Sequence, residues 1–232
     1  MHYTQMIQKL AAEAVQPNKP IGNASTPSAI KRIPRGQLKV PMNPMQLLHG
    51  IAYAEHSVPD EASYYKDKYW TRTSVRPTRD PNTGKWVGSS TAFGPNQLTD
   101  GKFNSYITRE YKEAMRPYRS FYYNTMEPIY KNFRRYGMEP NKPGYDKRWD
   151  YGGYGRRLSQ KEKETYKRVV AEMLRLDYNK VLRDTRNMPL SNQGRLDRVI
   201  QRWRGKSITA DPKYYKRVNQ FLRKNYPVFY ED

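Results

Sequence analysis

Few side chains here can move a proton near neutral pH, and one carboxyl has an unusual address. Met45, Leu48, Ile51, Ala52 and Glu55 recur at offsets of three and four, so Glu55 shares a helix face with an apolar stripe. Burial disfavours a charged carboxyl, so a glutamate there has its pKa raised towards the range useful to a general acid. The same position suits a glutamate paired with one of the chain's many arginines. Asp60 and Glu61 follow closely and offer carboxylates for activating a water. With no cysteine and three histidines, the chain has no thiol nucleophile and no disulfide framework, and neither a metal site nor a cofactor is expected.

A second cluster lies downstream, in Ser89-Ser90-Thr91-Ala92-Phe93-Gly94-Pro95-Asn96-Gln97. Glycine lets backbone approach a ligand closely, and an amide both donates and accepts hydrogen bonds, so Gln97 is the candidate contact. Gly-Pro-Asn is also ordinary turn chemistry. Two aromatic stretches join the candidates, Trp149-Asp150-Tyr151-Gly152-Gly153-Tyr154-Gly155 and Trp203-Arg204-Gly205, the latter ahead of Tyr214, Tyr215 and Val218. Trp203 fits either the core or the edge of a cleft.

In this order the segments resemble the lysozyme-like lytic transglycosylases, especially those carried by tailed bacteriophages, over roughly Pro41 to Tyr226. In that family a glutamate ends a helix, a Ser-x-x-Ala-x-Gly-x-x-Gln segment returns beneath the sugar cleft, and an aromatic-x-Gly element precedes a tyrosine-bearing last helix. Ser89 or Ser90, Ala92, Gly94 and Gln97 fill the second pattern. The resemblance implies a mainly α, α+β lysozyme-like fold in which Glu55 is catalytic and Ser89, Ser90, Phe93, Gln97, Tyr154 and Trp203 bind substrate. It implies cleavage of the β-1,4 bond between N-acetylmuramic acid and N-acetylglucosamine in peptidoglycan by one carboxyl. It implies that the N-acetyl group of the N-acetylmuramic acid attacks its own anomeric carbon in place of a second carboxyl, and such substrate assistance is a known exception to the two-carboxylate rule. If Asp60 or Glu61 activates a water, the outcome is instead that of a muramidase. The chain departs from the pattern twice. His56 follows the glutamate where serine is common, with Ser57 next to it, and the stretch to Gln97 is long enough for an inserted hairpin or rim loop.

The elements that must position these groups are mostly helical. Spacing predicts a short helix within His2 to Val15, then an extended arm from Gln16 to Pro41 punctuated by proline and glycine. Residues 1–40 read as this helix and arm, and 41–232 as the catalytic domain. Asn43-Pro44 starts a helix running to about Glu55, and His56 to Lys102 lose helical periodicity. Helices are expected through Tyr106 to Met115 and Met126 to Phe133, behind a Ser159/Glu162 capping box, around Leu196 to Trp203, and from Asp211-Pro212 to Leu222. Gly137 to Gly155 reads as irregular.

Composition bounds the partners. A chain of 232 residues with 36% hydrophobic and 13% aromatic content supports a packed core, and 43 Lys and Arg against 22 Asp and Glu favour polyanions, DNA included. No apolar run reaches the length of a membrane span, and no signal peptide is evident at the start. With the resemblance, this leads to an expectation of a virion component, in the tail or internal core. It would dock on other virion proteins through residues 1–40 and open the wall locally, in the host periplasm, for genome ejection. A host-lysis endolysin and a non-catalytic, DNA-contacting virion protein are the alternatives.

Overall fold

The computed structural model describes residues 43–71, 78–79, 82–83, 86–87, 91–136 and 158–227. The helix expected within His2 to Val15, the arm that follows it and the segment Gly137 to Gly155 lie outside these residues. What is described is mostly helical: α1 (Pro44–His56), α2 (Asp100–Ser105), α3 (Glu127–Tyr136), α4 (Gln160–Asp184), α5 (Asn192–Arg204) and α6 (Pro212–Asn225).

Helix α1 starts where its cap requires. The Asn43 side chain accepts from the Met45 amide at 2.9 Å, and Pro44 occupies the first turn, where no N–H is needed. It stops at Ser57, which takes a left-handed φ of 56°. The apolar stripe expected from spacing understates its burial, because Leu47, Leu48, His49, Gly50, Ile51, Ala52 and Ala54 are all enclosed. A helix covered on nearly all sides is a central one. Both α4 and α6 pack on it. Gly50 shows how closely: a Cβ there would stand 3.1 Å from the Leu222 side chain and 3.3 Å from that of Val218.

Helix α4 carries both halves of the expected capping box. Glu162 N donates to Ser159 Oγ at 3.2 Å and Ser159 N donates to Glu162 Oε2 at 2.8 Å. Its Tyr166, Val169, Val170, Met173 and Leu174 are fully buried. Helix α5 begins at Ser191, whose hydroxyl accepts from the Gly194 amide at 3.0 Å, and ends at Gly205 with a φ of 73°. Pro212 opens α6 as expected, but Asp211 does not cap it; its carboxylate instead accepts from Arg204 Nε at 3.0 Å.

Two regions differ from what periodicity predicts. The helix expected from Tyr106 begins earlier, at Asp100 behind a Thr99 cap, and widens into a π-helical turn over Tyr106–Glu110. The Tyr111 ring that follows the wider turn packs 4.9 Å from that of Tyr106. A second π-helical turn, Tyr122–Met126, precedes α3. Between α1 and α2 the chain makes two 3₁₀ turns, Ala62–Tyr65 and Asp67–Tyr69, then a small antiparallel hairpin of β1 (Thr78–Arg79) and β2 (Trp86–Val87), with Thr78 opposite Val87.

Candidate active site

Glu55 sits in the last turn of α1, its side chain 15% exposed. Burial lifts its pKa above the ordinary 4.5. The Arg204 guanidinium, the Tyr214 hydroxyl and Arg217 pull it back, Asp211 adds to the rise, and the net direction is upward. Arg204 Nη1 stands 3.9 Å from Glu55 Oε1, the outer limit of an ion pair, while its Nε is held by Asp211 and its plane lies 4.8 Å over the Tyr214 ring. The glutamate therefore realises both possibilities of its position: a desolvated acid with an arginine at arm's length. The Tyr214 hydroxyl is buried beside the carboxyl and close enough to favour its charged form, without the geometry of a full hydrogen bond to any described residue. Arg217 donates to Tyr53 O at 2.9 Å and to Ser57 Oγ at 2.7 Å, closing the end of the helix.

The Gly94–Gln97 segment is a tight reversal. Phe93 and Leu98 exchange both backbone hydrogen bonds at 3.1 Å, Gln97 N donates to Gly94 O at 2.9 Å, and Gly94 and Gln97 take φ values of 77° and 50°. Three phenols and an amide fasten it. Tyr166 donates to Phe93 O at 2.7 Å and Tyr130 to Leu98 O at 3.0 Å, while Tyr64 donates to the wholly buried Asn96, whose Nδ2 donates to Leu48 O of α1 at 2.7 Å. Tyr166 also feels the Glu55 charge, so the reversal and the acid share one neighbour.

Those bonds revise the roles expected of this segment. Gly94 makes room for the Tyr166 ring rather than for a ligand: a Cβ would lie 2.9 Å from Tyr166 Cζ. Gln97 is buried, and its amide nitrogen is committed to Gly94 O at 2.8 Å, Thr71 O at 3.2 Å and His56 Nε2. The last of these needs a neutral, accepting imidazole. Burial supplies one by lowering the His56 pKa from 6.5 to about 4. Phe93 is fully buried against Phe133, which leaves its ring no face for a sugar. Trp203 is a core residue, its ring 4.6 Å from Lys102 Nζ, which donates to the carbonyls of Arg202 and Trp203 at the end of α5. Ser89, Ser90 and Tyr154 lie outside the described residues. No protein-family model, curated protein or solved structure matches the chain.

The neighbouring carboxylates are held in their charged forms. The Ser63 amide donates to Asp60 at 2.7 Å and lowers its pKa; Tyr226 donates to Glu61 at 2.6 Å and does the same. Among the described residues no cluster of three His, Asp or Glu has the arrangement of a metal site, and no helix is long and apolar enough to cross a membrane.

Asn96, Tyr64, Tyr130, Tyr166, Arg204 and Tyr214 carry no signal in the sequence for the places they take. The partners of Asn96 and of Tyr64, Tyr130 and Tyr166 lie 32 to 73 residues away, and although Asn96, Arg204 and Tyr214 fall in segments that the resemblance marks, it assigns none of these contacts to them. A second charged cluster is equally hidden: wholly buried Asp177 accepts from Arg202 Nε at 2.7 Å, and Arg202 reaches Glu110 at 3.1 Å, which ties α4, α5 and the first π-helical turn together.

Proposed function

We propose that the protein cleaves peptidoglycan glycan strands as a lytic transglycosylase, on a lysozyme-like fold, with Glu55 as the group that first gives and then takes a proton. The observation that carries this reading is the Glu55 carboxyl itself, desolvated enough to hold a raised pKa yet 15% exposed at the end of a rigid, buried helix. Protonated Glu55 donates to the glycosidic oxygen as the N-acetyl oxygen of N-acetylmuramic acid attacks its own anomeric carbon; the bond to the leaving sugar breaks and an oxazolinium forms. The carboxylate then takes the proton of the C6 hydroxyl, and O6 attacks the anomeric carbon, reopening the oxazolinium to the N-acetyl group and leaving a 1,6-anhydro end. Arg204, Arg217 and Tyr214 stabilise the carboxylate between the two transfers. Gln97 acts on position, by holding the reversal and His56, and the sugar contacts fall to other groups.

The resemblance to phage-borne enzymes extends the proposal to a protein that travels in the virion and opens the wall for genome ejection. Incubation of purified protein with sacculi, followed by mass spectrometry of the released muropeptides, tests the chemistry. Anhydro-muramyl ends with the parent and none with Glu55→Gln are expected; ends that persist with Glu55→Gln, or ordinary reducing ends, overturn it.

A further inference from the structure

Helix α6 presents a stripe of one sign. Lys213, Lys216, Gln220, Arg223 and Lys224 are exposed and Arg217 is half-buried, and at 100° per residue all six fall within about 120° of the helix circumference. From Lys213 to Lys224 the stripe runs for roughly 16 Å. It contains no acidic residue. Among the described residues the flanking acids are outside it: Asp211 is paired with Arg204, Asp197 accepts from Gln193 at 2.8 Å beside Asn219, and Glu61 accepts from Tyr226 beyond the far end.

Helix α4 shows the ordinary alternative. Two of its cations are answered along the helix, Arg175 by Glu172 at 2.6 Å and Lys180 by Asp184 at 3.1 Å, as on a solvated face. On α6 like charges stand three and four residues apart, an arrangement that costs a helix a few tenths of a kcal/mol per pair unless an anion compensates it. Lys213, Lys216 and Lys224 have no ion-pair partner among the described residues.

We infer that this face of α6 docks on the phosphate backbone of double-stranded nucleic acid, without reading its sequence. The stripe selects this occupant by what it lacks. Among the described residues its aromatic neighbours Tyr214, Tyr215 and Phe221 are buried in the core, and half-buried Tyr53 and Tyr226 are taken up by Arg217 and Glu61, so none offers the open ring on which unpaired bases stack, as single-strand binders require. The apolar side of α6 is likewise spent on the core and cannot sink into a bilayer as an interfacial helix must. What remains is a rigid row of cations matched to regularly spaced phosphates, which positions the duplex and leaves its bases unread. This inference stands apart from the glycan-cleavage proposal, because its cations are not the groups around Glu55 save Arg217, which the test leaves intact.

The test is fluorescence anisotropy of the full chain with a mixed-sequence duplex of about 24 base pairs across a salt series. The parent is compared with Lys213→Gln/Lys216→Gln/Arg223→Gln/Lys224→Gln and with a charge-matched control on α4, Lys161→Gln/Arg168→Gln/Arg175→Gln/Lys180→Gln, melting curves confirming that each is folded. Each phosphate that is no longer neutralised takes about 0.9 from the slope of log K against log salt, so the α6 variant is expected to fall by about 3 to 4 in slope and at least tenfold in affinity at moderate salt. The control is expected to stay within about threefold of the parent. If the quadruple variant melts early, the Lys213/Lys216 and Arg223/Lys224 pairs are tested separately, each expected to give about half the change in slope. Equal falls in the α6 and α4 variants, a parent that does not bind duplex, or tighter binding to phosphatidylglycerol vesicles or to poly(glycerol phosphate) than to duplex overturns the inference.

Discussion

The Tyr166 ring occupies the space that a side chain at Gly94 would need, while its hydroxyl donates to the carbonyl of Phe93 just before it at 2.7 Å. One phenol thus both requires the glycine and fixes the reversal that contains it. Gly94→Ala must carry a Cβ at a φ of 77° and push against that ring. The expected cost is about 2–4 kcal/mol, seen as a fall in Tm of roughly 5–12 °C, with Tyr166→Phe costing less because the ring still fills its space.

Asn96 joins α1 to the reversal. Asn96→Ala strands both the Tyr64 hydroxyl and part of the bonding capacity of Leu48 O, and is expected to cost about 2–4 kcal/mol by denaturant unfolding. In a double-mutant cycle with Tyr64→Phe the two effects should fall short of adding, because they break the same bond.

Glu55→Gln separates chemistry from stability. Activity on sacculi should fall by about 10³-fold or more. The raised pKa means that ionising Glu55 costs the fold: this penalty is absent below pH 4.5 and grows as pH rises from there through the higher folded value. The variant should accordingly match the parent in Tm at low pH and gain on it towards neutrality. A gain confined to acid pH would refute the assignment of burial as the main cause.

His49 and His56 act in the opposite sense. Burial lowers both from 6.5 to about 4, so the folded state binds fewer protons than the unfolded chain between those values. Their contribution is complete above pH 6.5 and is lost as pH falls towards about 4, on the order of 2–3 kcal/mol for His49, which is 1% exposed. NMR titration should show neither ring protonating above about pH 5, and His49→Phe should flatten the fall in Tm through that window.

Local features are legible in the sequence. Asn43-Pro44, the Ser159/Glu162 box, the Pro212 start and the half-buried position of Glu55 are each fixed by residues within one or two turns, where capping and spacing rules apply. What stays hidden depends on distance along the chain. The bonds from Tyr64, Tyr130 and Tyr166 to the reversal span 32 to 73 residues, and no periodicity encodes them. Gln97 meets the same limit: its residue type shows a capacity to hydrogen-bond, but only the fold shows that Thr71, Gly94 and His56 already use it. The swap of Asp211 from helix cap to partner of Arg204 is likewise a tertiary event.

Three hydroxyls from separate parts of the chain converge on the six residues from Phe93 to Leu98, two directly on the backbone and one through Asn96. Such an anchorage is redundant. Losing a single hydroxyl to mutation leaves two others on the same six residues, so the loop is expected to keep its course in each Tyr→Phe variant taken alone.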